Sequence, residues 1–235
     1  MSALVAKLLF VHQQVAVELQ RFWLLWRYQH RTKTPPYLLG WRLLLKRVID
    51  VLGSAVGLIC LAPVLALVTL AVKCTSKGPI VYSQQRVGRF GDLFNIYKFR
   101  TMRADAEQDG PVWSSGEADP RLTPIGGFLR QTHLDELPQL LNVLKGDMSL
   151  VGPRPERPHF VTSLNEAIPR YDERLYIRPG VTGLAQVHLP ADRTLGDVKR
   201  KLRFDLLYVK RMCLLLDARI IAWTLMLLVT GRNLR

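Results

Sequence analysis

The sequence predicts a mainly helical α+β fold, with a bent apolar helix pair inserted in a membrane and joined to a small domain that has short strands and interfacial amphipathic helices. Three observations support this prediction. An apolar run is broken by Pro63, short strand-like runs follow Gly78, and amphipathic helical periodicity occurs near both ends of the chain. The 235 residues suffice for one substantial core with appendages.

Residues 1–40 are predicted to form an amphipathic helix followed by a proline linker. The linker is Thr34-Pro35-Pro36, where the two prolines cannot continue a helix. The helix either packs on the protein or on a second copy, or it lies on a membrane surface with its terminal cations on lipid phosphates. Its apolar positions recur at steps of three and four: Leu4, Leu8, Val11, Val15, Leu19, Phe22 and Trp26.

Residues 41–78 contain the apolar run 51–72, which has no charged residue and is long enough to span a bilayer. Pro63 lies in its middle and removes a helical hydrogen bond. Cations flank the run on both sides, so the positive-inside rule gives it no direction. We therefore expect a re-entrant helix that bends near Pro63 and returns to the same face. A single-pass helix with a proline kink is the alternative.

Residues 79–205 are predicted to form the globular domain. A strand-like run at 80–82, a turn at 88–91 and a second strand-like run at 93–99 open it. A helix that starts near Leu137 is expected to stop at Gly146. The three cysteines are odd in number and lie in apolar surroundings, which favours reduced thiols and a cytoplasmic location.

Residues 206–235 form an apolar tail that charged residues interrupt, and its last uncharged run is too short to cross a bilayer. We interpret this tail as an interfacial helix or a core helix. The formal charge of +14 calls for an anionic partner. A hydrophobic content of 49% with five Trp favours a membrane surface or a phosphorylated lipid over nucleic acid, which we do not expect as a partner. The sequence leaves a homodimer open.

Two adjacent carboxylates, Asp135 and Glu136, are predicted at the first turn of an amphipathic helix. The macrodipole there favours ionised carboxylates, and the free N–H groups favour phosphate. Acidic residues also occur in first turns simply because they cap helices. Cations nearby in sequence favour the functional interpretation, since guanidinium groups suit bidentate phosphate contacts. They are Lys98, Arg100, Arg103, Arg130 and Arg154, the last of which stands between two prolines.

Seven sequence runs, in unbroken order from about Trp41 to the C-terminus, carry a family resemblance. They are KRVID (46–50), SKGP (76–79), QRVG (85–88), YKFRTM (97–102), LDELPQL (134–140), KGDMSLVGPRP (145–155) and RPGVTG (178–183). The chain resembles the bacterial sugar transferases, also called monotopic polyprenyl-phosphate phosphoglycosyl transferases.

The resemblance implies an enzyme of the bacterial cytoplasmic membrane, with a catalytic domain at 79–205 on the cytoplasmic face. Asp135 would attack a nucleotide sugar, usually a UDP-sugar, and polyprenyl phosphate such as undecaprenyl phosphate would then take the phosphosugar. This reaction would initiate synthesis of an exopolysaccharide, O-antigen or glycoconjugate. Glu136 would bind Mg²⁺, and Pro63 would break the re-entrant helix. Lys98, Arg100, Arg130 and Arg154 match family positions near the phosphates or nucleotide.

A non-enzymatic basic membrane protein that binds anionic lipid or nucleic acid is the competing hypothesis. It accounts for the net charge and for the apolar segments. It does not account for an acidic pair at a helix start followed by the KGD and PRP runs. Release of nucleoside monophosphate from a nucleotide sugar distinguishes the two.

Overall fold

The computed structural model describes residues 40–103, 106, 119–192 and 194–230. The predicted N-terminal helix and the loop around residues 107–118 lie outside these ranges. The helices are α1 (Gly40–Cys60), α2 (Ala62–Thr75), α3 (Gly126–Gln131), α4 (Gln139–Lys145), α5 (Pro158–Ala167), α6 (Leu184–His188), α7 (Leu195–Arg211) and α8 (Leu214–Thr230). The strands are β1 (Val81–Val87), β2 (Leu93–Phe99), β3 (Ser149–Val151) and β4 (Gly180–Thr182). The mainly helical α+β prediction is confirmed.

Helices α1 and α2 form a pair that bends by 63° at Leu61. The Leu61 amide donates to the Gly57 carbonyl over 2.9 Å, and the Leu65 amide donates to the Leu61 carbonyl over 2.8 Å. Pro63 stands in the first turn of α2, where its missing N–H removes no helical bond. The bend lies where the sequence predicts it, but the predicted loss of a helical hydrogen bond at Pro63 is wrong.

Both ends of this helix pair pack on the same domain. Near the start of α1, the Arg47 guanidinium donates to the carbonyls of Val143 at 2.6 Å and Leu144 at 2.9 Å, which lie at the end of α4. Near the end of α2, fully buried Val72 packs with Phe99 of β2. By length and composition the bent pair could enter a membrane. Among the described residues, every single helix is too short or too polar to cross one alone.

Strands β1 and β2 form the predicted antiparallel hairpin, in which Tyr82 pairs with Lys98. Helix α4 is attached to β2 by the buried Asn142. Its Oδ1 accepts from the Tyr97 amide at 3.0 Å, and its Nδ2 donates to the Asn95 carbonyl at 2.7 Å. Helix α4 ends at Gly146, which has φ of 99° as a left-handed helix stop requires. The predicted stop is confirmed.

Strands β3 and β4 pair in parallel, and this pairing brings the KGDMSLVGPRP and RPGVTG runs together. The two backbones come so close that a Cβ on Gly152 would lie 2.4 Å from the Arg178 carbonyl oxygen. A Cβ on Gly180 would lie 2.0 Å from the Gly152 nitrogen. Glycine is needed at both positions because any side chain would push the strands apart.

A buried polar network joins the first and last described helices to the domain. Lys46 Nζ of α1 lies 2.8 Å from the Asp217 carboxylate of α8, and Asp50 accepts from the Leu150 amide of β3 at 3.0 Å. The Tyr208 hydroxyl donates to Asp217 at 2.6 Å. Burial first, and then the Asp217 charge, raises the pKa of Tyr208 well above its usual value, so this hydroxyl stays a donor.

The C-terminal part differs from the prediction at one boundary. Helix α7 begins at Leu195, is capped by Thr194 in a reciprocal capping box with Asp197, and runs without interruption to Arg211. The predicted division between 205 and 206 therefore falls inside α7, and the chain turns at 212–213 instead. The apolar residues from Leu206 onward made the tail look separate, although α7 continues through them to Arg211. The cysteines are free, as predicted.

We expect Tyr208→Phe to destabilise the fold. The change removes the hydroxyl that bonds Asp217 and the Val151 carbonyl, and it leaves a buried carboxylate with one donor fewer. The cost should be about 1–3 kcal/mol, seen as a thermal midpoint several degrees lower in detergent. Tyr97→Phe is the matched control, because its hydroxyl bonds only the exposed Lys145 amine and its loss should change little. Equal midpoints for both variants would contradict the prediction.

Candidate active site

The predicted catalytic pair lies in a turn just before a helix, and not in the first turn of that helix as predicted. Asp135 and Glu136 belong to a 3₁₀ turn, Leu134–Glu136, and α4 begins only at Gln139. His133 precedes this turn with φ of 57°, in the left-handed region. Pro138 separates the turn from the α-helix, so the carboxylates are not in the first turn of α4. Both are nevertheless buried, with 4% and 7% of their surface exposed.

The Glu136 carboxylate is held by two cations from different elements. Lys98 Nζ lies 2.7 Å from its Oε1, and Arg154 Nη2 lies 2.7 Å from the same oxygen. Burial acts to raise the pKa of Glu136, but the charges of Arg154 and Lys98 outweigh it and hold the pKa well below its usual range. Glu136 is therefore ionised at neutral pH.

The charge of Asp135 acts on the same two cations. Burial lowers the pKa of Lys98, which the charges of Glu136 and, more weakly, Asp135 oppose. The pKa of Arg154 is raised chiefly by Glu136, with a smaller contribution from Asp135. Both carboxylates and both cations thus form one electrostatic cluster.

Arg130 and Arg100, also predicted to bind substrate, have different surroundings. Arg130 of α3 donates from Nε to the Thr101 hydroxyl at 3.2 Å. Arg100 is buried and donates to the Ser76 carbonyl at 2.7 Å and to the Pro79 carbonyl. Its guanidinium therefore holds the turn between α2 and β1, and its part in substrate binding stays a prediction.

A cavity of about 610 Å³ lies beside the cluster, and most of its charged lining is basic. Asp135 and Glu136 do not line it, although the cations that hold Glu136 do. Such a cavity suits a polyanion with phosphate groups. The basic side chains that line it are Arg86, Lys98, Arg100, Arg103, Arg121, Arg130, Arg154, Arg157, Arg174 and Lys201, and the acidic ones are Glu156, Asp192 and Asp205.

The donor set bears on the metal that the family resemblance implies. In the part of the chain that the structure describes, no group of three or more His, Cys, Asp or Glu side chains could hold a metal ion. The two cations share Oε1 of Glu136 at 2.7 Å, whereas Oε2 has Arg154 Nη1 only at 3.4 Å. One carboxylate oxygen is thus available, which fits a hard ion that takes its other ligands from substrate phosphates and water.

Residues on the far side of the cavity were missed in the sequence analysis. Arg174 and Asp205 form an ion pair of 2.8 Å in which both side chains are buried. Burial raises the pKa of Asp205 to about 6, even though Arg174 acts to lower it. Their signal in the sequence is weak, because a lone Arg and a lone Asp separated by thirty residues resemble ordinary surface charges.

The chain is similar to several curated bacterial proteins. It is 40% identical to the undecaprenyl-phosphate glucose phosphotransferase of Komagataeibacter xylinus over 82% of this chain and 37% of the relative. It is 38% identical to the UDP-N-acetylgalactosamine-undecaprenyl-phosphate N-acetylgalactosaminephosphotransferase of Aeromonas hydrophila over 81% of this chain and 45% of the relative. The chain thus spans less than half the length of these two relatives.

A third relative is covered over more of its length. The UDP-glucose:undecaprenyl-phosphate glucose-1-phosphate transferase of Caulobacter vibrioides is 42% identical, over 80% of this chain and 71% of the relative. The family described as bacterial sugar transferase matches residues 41–231, which include both helices of the bent pair and the whole carboxylate cluster. The chain therefore belongs to the bacterial sugar transferase family.

Proposed function

We propose that this protein transfers a sugar-1-phosphate from a UDP-sugar to undecaprenyl phosphate, as the names of its relatives state for those proteins. The observation that carries the proposal is the buried Asp135–Glu136 pair, which shares two cations with an arginine-rich cavity. A diphosphate is the part of a nucleotide sugar that such a cavity binds best. The reaction initiates polysaccharide synthesis at the cytoplasmic membrane.

In the first step, an Asp135 carboxylate oxygen attacks the phosphorus that bears the sugar. A new P–O bond forms to Asp135, and the bond from that phosphorus to the oxygen bridging the two phosphates breaks. Uridine monophosphate leaves with the bonding electrons, and the phosphosugar stays on the enzyme. An anionic nucleophile needs its repulsion from phosphate reduced, and the cations beside Asp135 provide that.

In the second step, a phosphate oxygen of undecaprenyl phosphate attacks the same phosphorus. Its P–O bond to Asp135 breaks, the carboxylate is regenerated, and the product is an undecaprenyl diphosphate sugar. No proton has to move in either exchange, because nucleophile and leaving group are both anions. This agrees with a cluster made of carboxylates, lysine and arginine.

Glu136 keeps its charge throughout, because Lys98 and Arg154 lower its pKa. We propose that Glu136, jointly with the substrate diphosphate, would hold Mg²⁺. When bound, the ion supplies charge neutralisation for the diphosphate. Arg154 then has two tasks, which are to orient Glu136 and to present donors to phosphate.

The helix pair α1 and α2 supports a membrane-inserted, re-entrant arrangement. Both of its ends bond to the same domain, through Arg47 at one end and Arg100 at the other. A single-pass helix would separate these ends by the bilayer. Large apolar side chains on the pair are exposed, as lipid contact requires. They include Trp41, Leu44, Leu52, Val56, Ile59, Leu67 and Leu70.

Asp135→Asn should abolish nucleotide release while the protein stays folded, because an amide cannot attack phosphorus. The assay is a panel of UDP-sugars scored for uridine monophosphate. Wild-type protein given radiolabelled donor without acceptor should retain sugar phosphate through denaturation. Asp92→Asn, at an exposed carboxylate in the hairpin turn, is the matched control and should keep full activity. Turnover by the Asp135 variant would refute covalent catalysis, and salt-sensitive lipid binding without release would favour a non-enzymatic protein.

Chelation should stop turnover, and addition of Mg²⁺ should restore it. Glu136→Gln should raise the Mg²⁺ concentration needed for half-maximal activity by roughly tenfold, because a neutral amide is a weaker ligand for a hard ion. Thermal midpoints measured with and without chelator show whether unfolding contributes. Full activity of the wild type in excess chelator would remove the metal from the proposal.

Cysteines placed at Arg42 and at Lys77 should both react with a membrane-impermeant maleimide in inside-out vesicles, and neither should react in intact cells. All native cysteines except Cys60 are replaced before these labelling experiments. Cys60, next to the bend, serves as the internal control and should resist labelling from either side if the bend is buried in lipid. Labelling of positions 42 and 77 from opposite sides would establish a single-pass helix.

A further inference from the structure

The loop that carries Arg154 is anchored by every carbonyl from Pro153 to Glu156. The Pro153 carbonyl accepts from the Gly180 amide at 2.9 Å, and the Glu156 carbonyl accepts from the Val87 amide at 2.9 Å. The Pro155 carbonyl accepts from Arg86 Nη1 at 3.1 Å, and the Arg154 carbonyl accepts from Arg174 Nη2 at 2.8 Å. Two donors are backbone amides of β-strands, and two are arginine side chains.

The two prolines make these hydrogen bonds to carbonyl groups essential for holding the loop. Pro153 and Pro155 have no N–H, so their carbonyls are the only backbone groups through which they can be held. The bond to the Arg154 carbonyl lies at the centre of this loop. It fixes the position and orientation of the peptide group from which the Arg154 side chain reaches Glu136.

Both terminal nitrogens of the Arg174 guanidinium are held by acceptors. Its Nη2 donates to the Arg154 carbonyl and lies 2.8 Å from the Asp205 carboxylate of α7, while its Nη1 donates to the Tyr171 hydroxyl at 2.7 Å. Arg174, Tyr171 and Asp205 are all buried. A buried arginine with a carboxylate, a phenol and a carbonyl as acceptors has one geometry, since its guanidinium fork is rigid.

We propose that Arg174, oriented by Asp205 and Tyr171, is a positioning residue that fixes the Arg154 carbonyl and thereby aims the Arg154 guanidinium at Glu136. This inference rests on the proposed function for its activity readout. In the described part of the chain, no hydrogen bond joins Arg174 to either catalytic carboxylate. Under this proposal, its effect on the reaction passes through Arg154.

One competing account is direct ligand contact, because Arg174 also lines the cavity. The two accounts differ in how Arg174 and Arg154 combine. If Arg174 acts through Arg154, its loss matters only while Arg154 is present, so the two substitutions are not additive. If Arg174 touches the ligand itself, or only supports the fold, its loss costs the same factor in both backgrounds.

The test is a double-mutant cycle on the rate of uridine monophosphate release without lipid acceptor. Arg174→Lys should slow release roughly tenfold in the wild-type background and less than twofold in the Arg154→Ala background. Asp205→Asn should follow the same pattern with a smaller effect, because it keeps a hydrogen-bond acceptor. Arg170→Lys is the matched control, since the half-exposed Arg170 pairs with the buried Glu173 and should leave the rate unchanged. An equal loss in both backgrounds, or no loss, would overturn the proposal.

Hydrogen exchange of the full-length protein in detergent gives a second measurement that needs no activity. The amides of Val87 and Gly180 donate to the Glu156 and Pro153 carbonyls of this loop, so peptides that contain them should exchange faster in Arg174→Lys and in Asp205→Asn than in the wild type or in Arg170→Lys. Peptides from α4 should be unchanged. Unchanged exchange of the Val87 and Gly180 amides would overturn the proposal even if the rates fall. A wild type that releases nucleotide from no donor would count against the proposed function, and the exchange data alone would then decide on positioning.

Discussion

The ion pair between Lys46 and Asp217 is the constraint from which the rest of the structure follows. It ties α1 to α8 where neither charge has much access to water, so removal of one partner would leave a buried charge at a cost of roughly 3–5 kcal/mol. With α1 fixed there, Arg47 reaches the carbonyls at the end of α4, and Asn142 of α4 holds β2. Strand β2 in turn places Lys98 beside Glu136.

The candidate active site is rich in cationic side chains, and these cations hold its carboxylates in place. Lys98 and Arg154 come from elements that are distant in sequence, and they converge on one oxygen of Glu136. Two cations on one carboxylate leave net positive charge beside Asp135. The two cations and the two carboxylates together are neutral, so the attractive field that an incoming diphosphate meets comes from the other basic side chains that line the cavity.

Local rules in the sequence predicted the hairpin of β1 and β2, the stop at Gly146 and the bend at Pro63, because each depends on turn chemistry within a few residues. The 3₁₀ turn was not predicted, because the left-handed backbone conformation of His133 and the position of Pro138 are both compatible with a simple helix start. The anchoring of Arg154 could not be predicted either. It depends on a contact between residues twenty positions apart, which no periodicity encodes.

The bent helix pair has a consequence for the lipid around it. The charge-free part of α1, residues 51–60, is ten residues long and rises about 15 Å, which is about half of the hydrocarbon thickness of a bilayer. Inserted as proposed, it adds area to the cytoplasmic leaflet and none to the other. Insertion into one leaflet alone favours curvature of the membrane. The free energy with which the protein binds to a membrane would therefore depend on the curvature stress stored in that membrane.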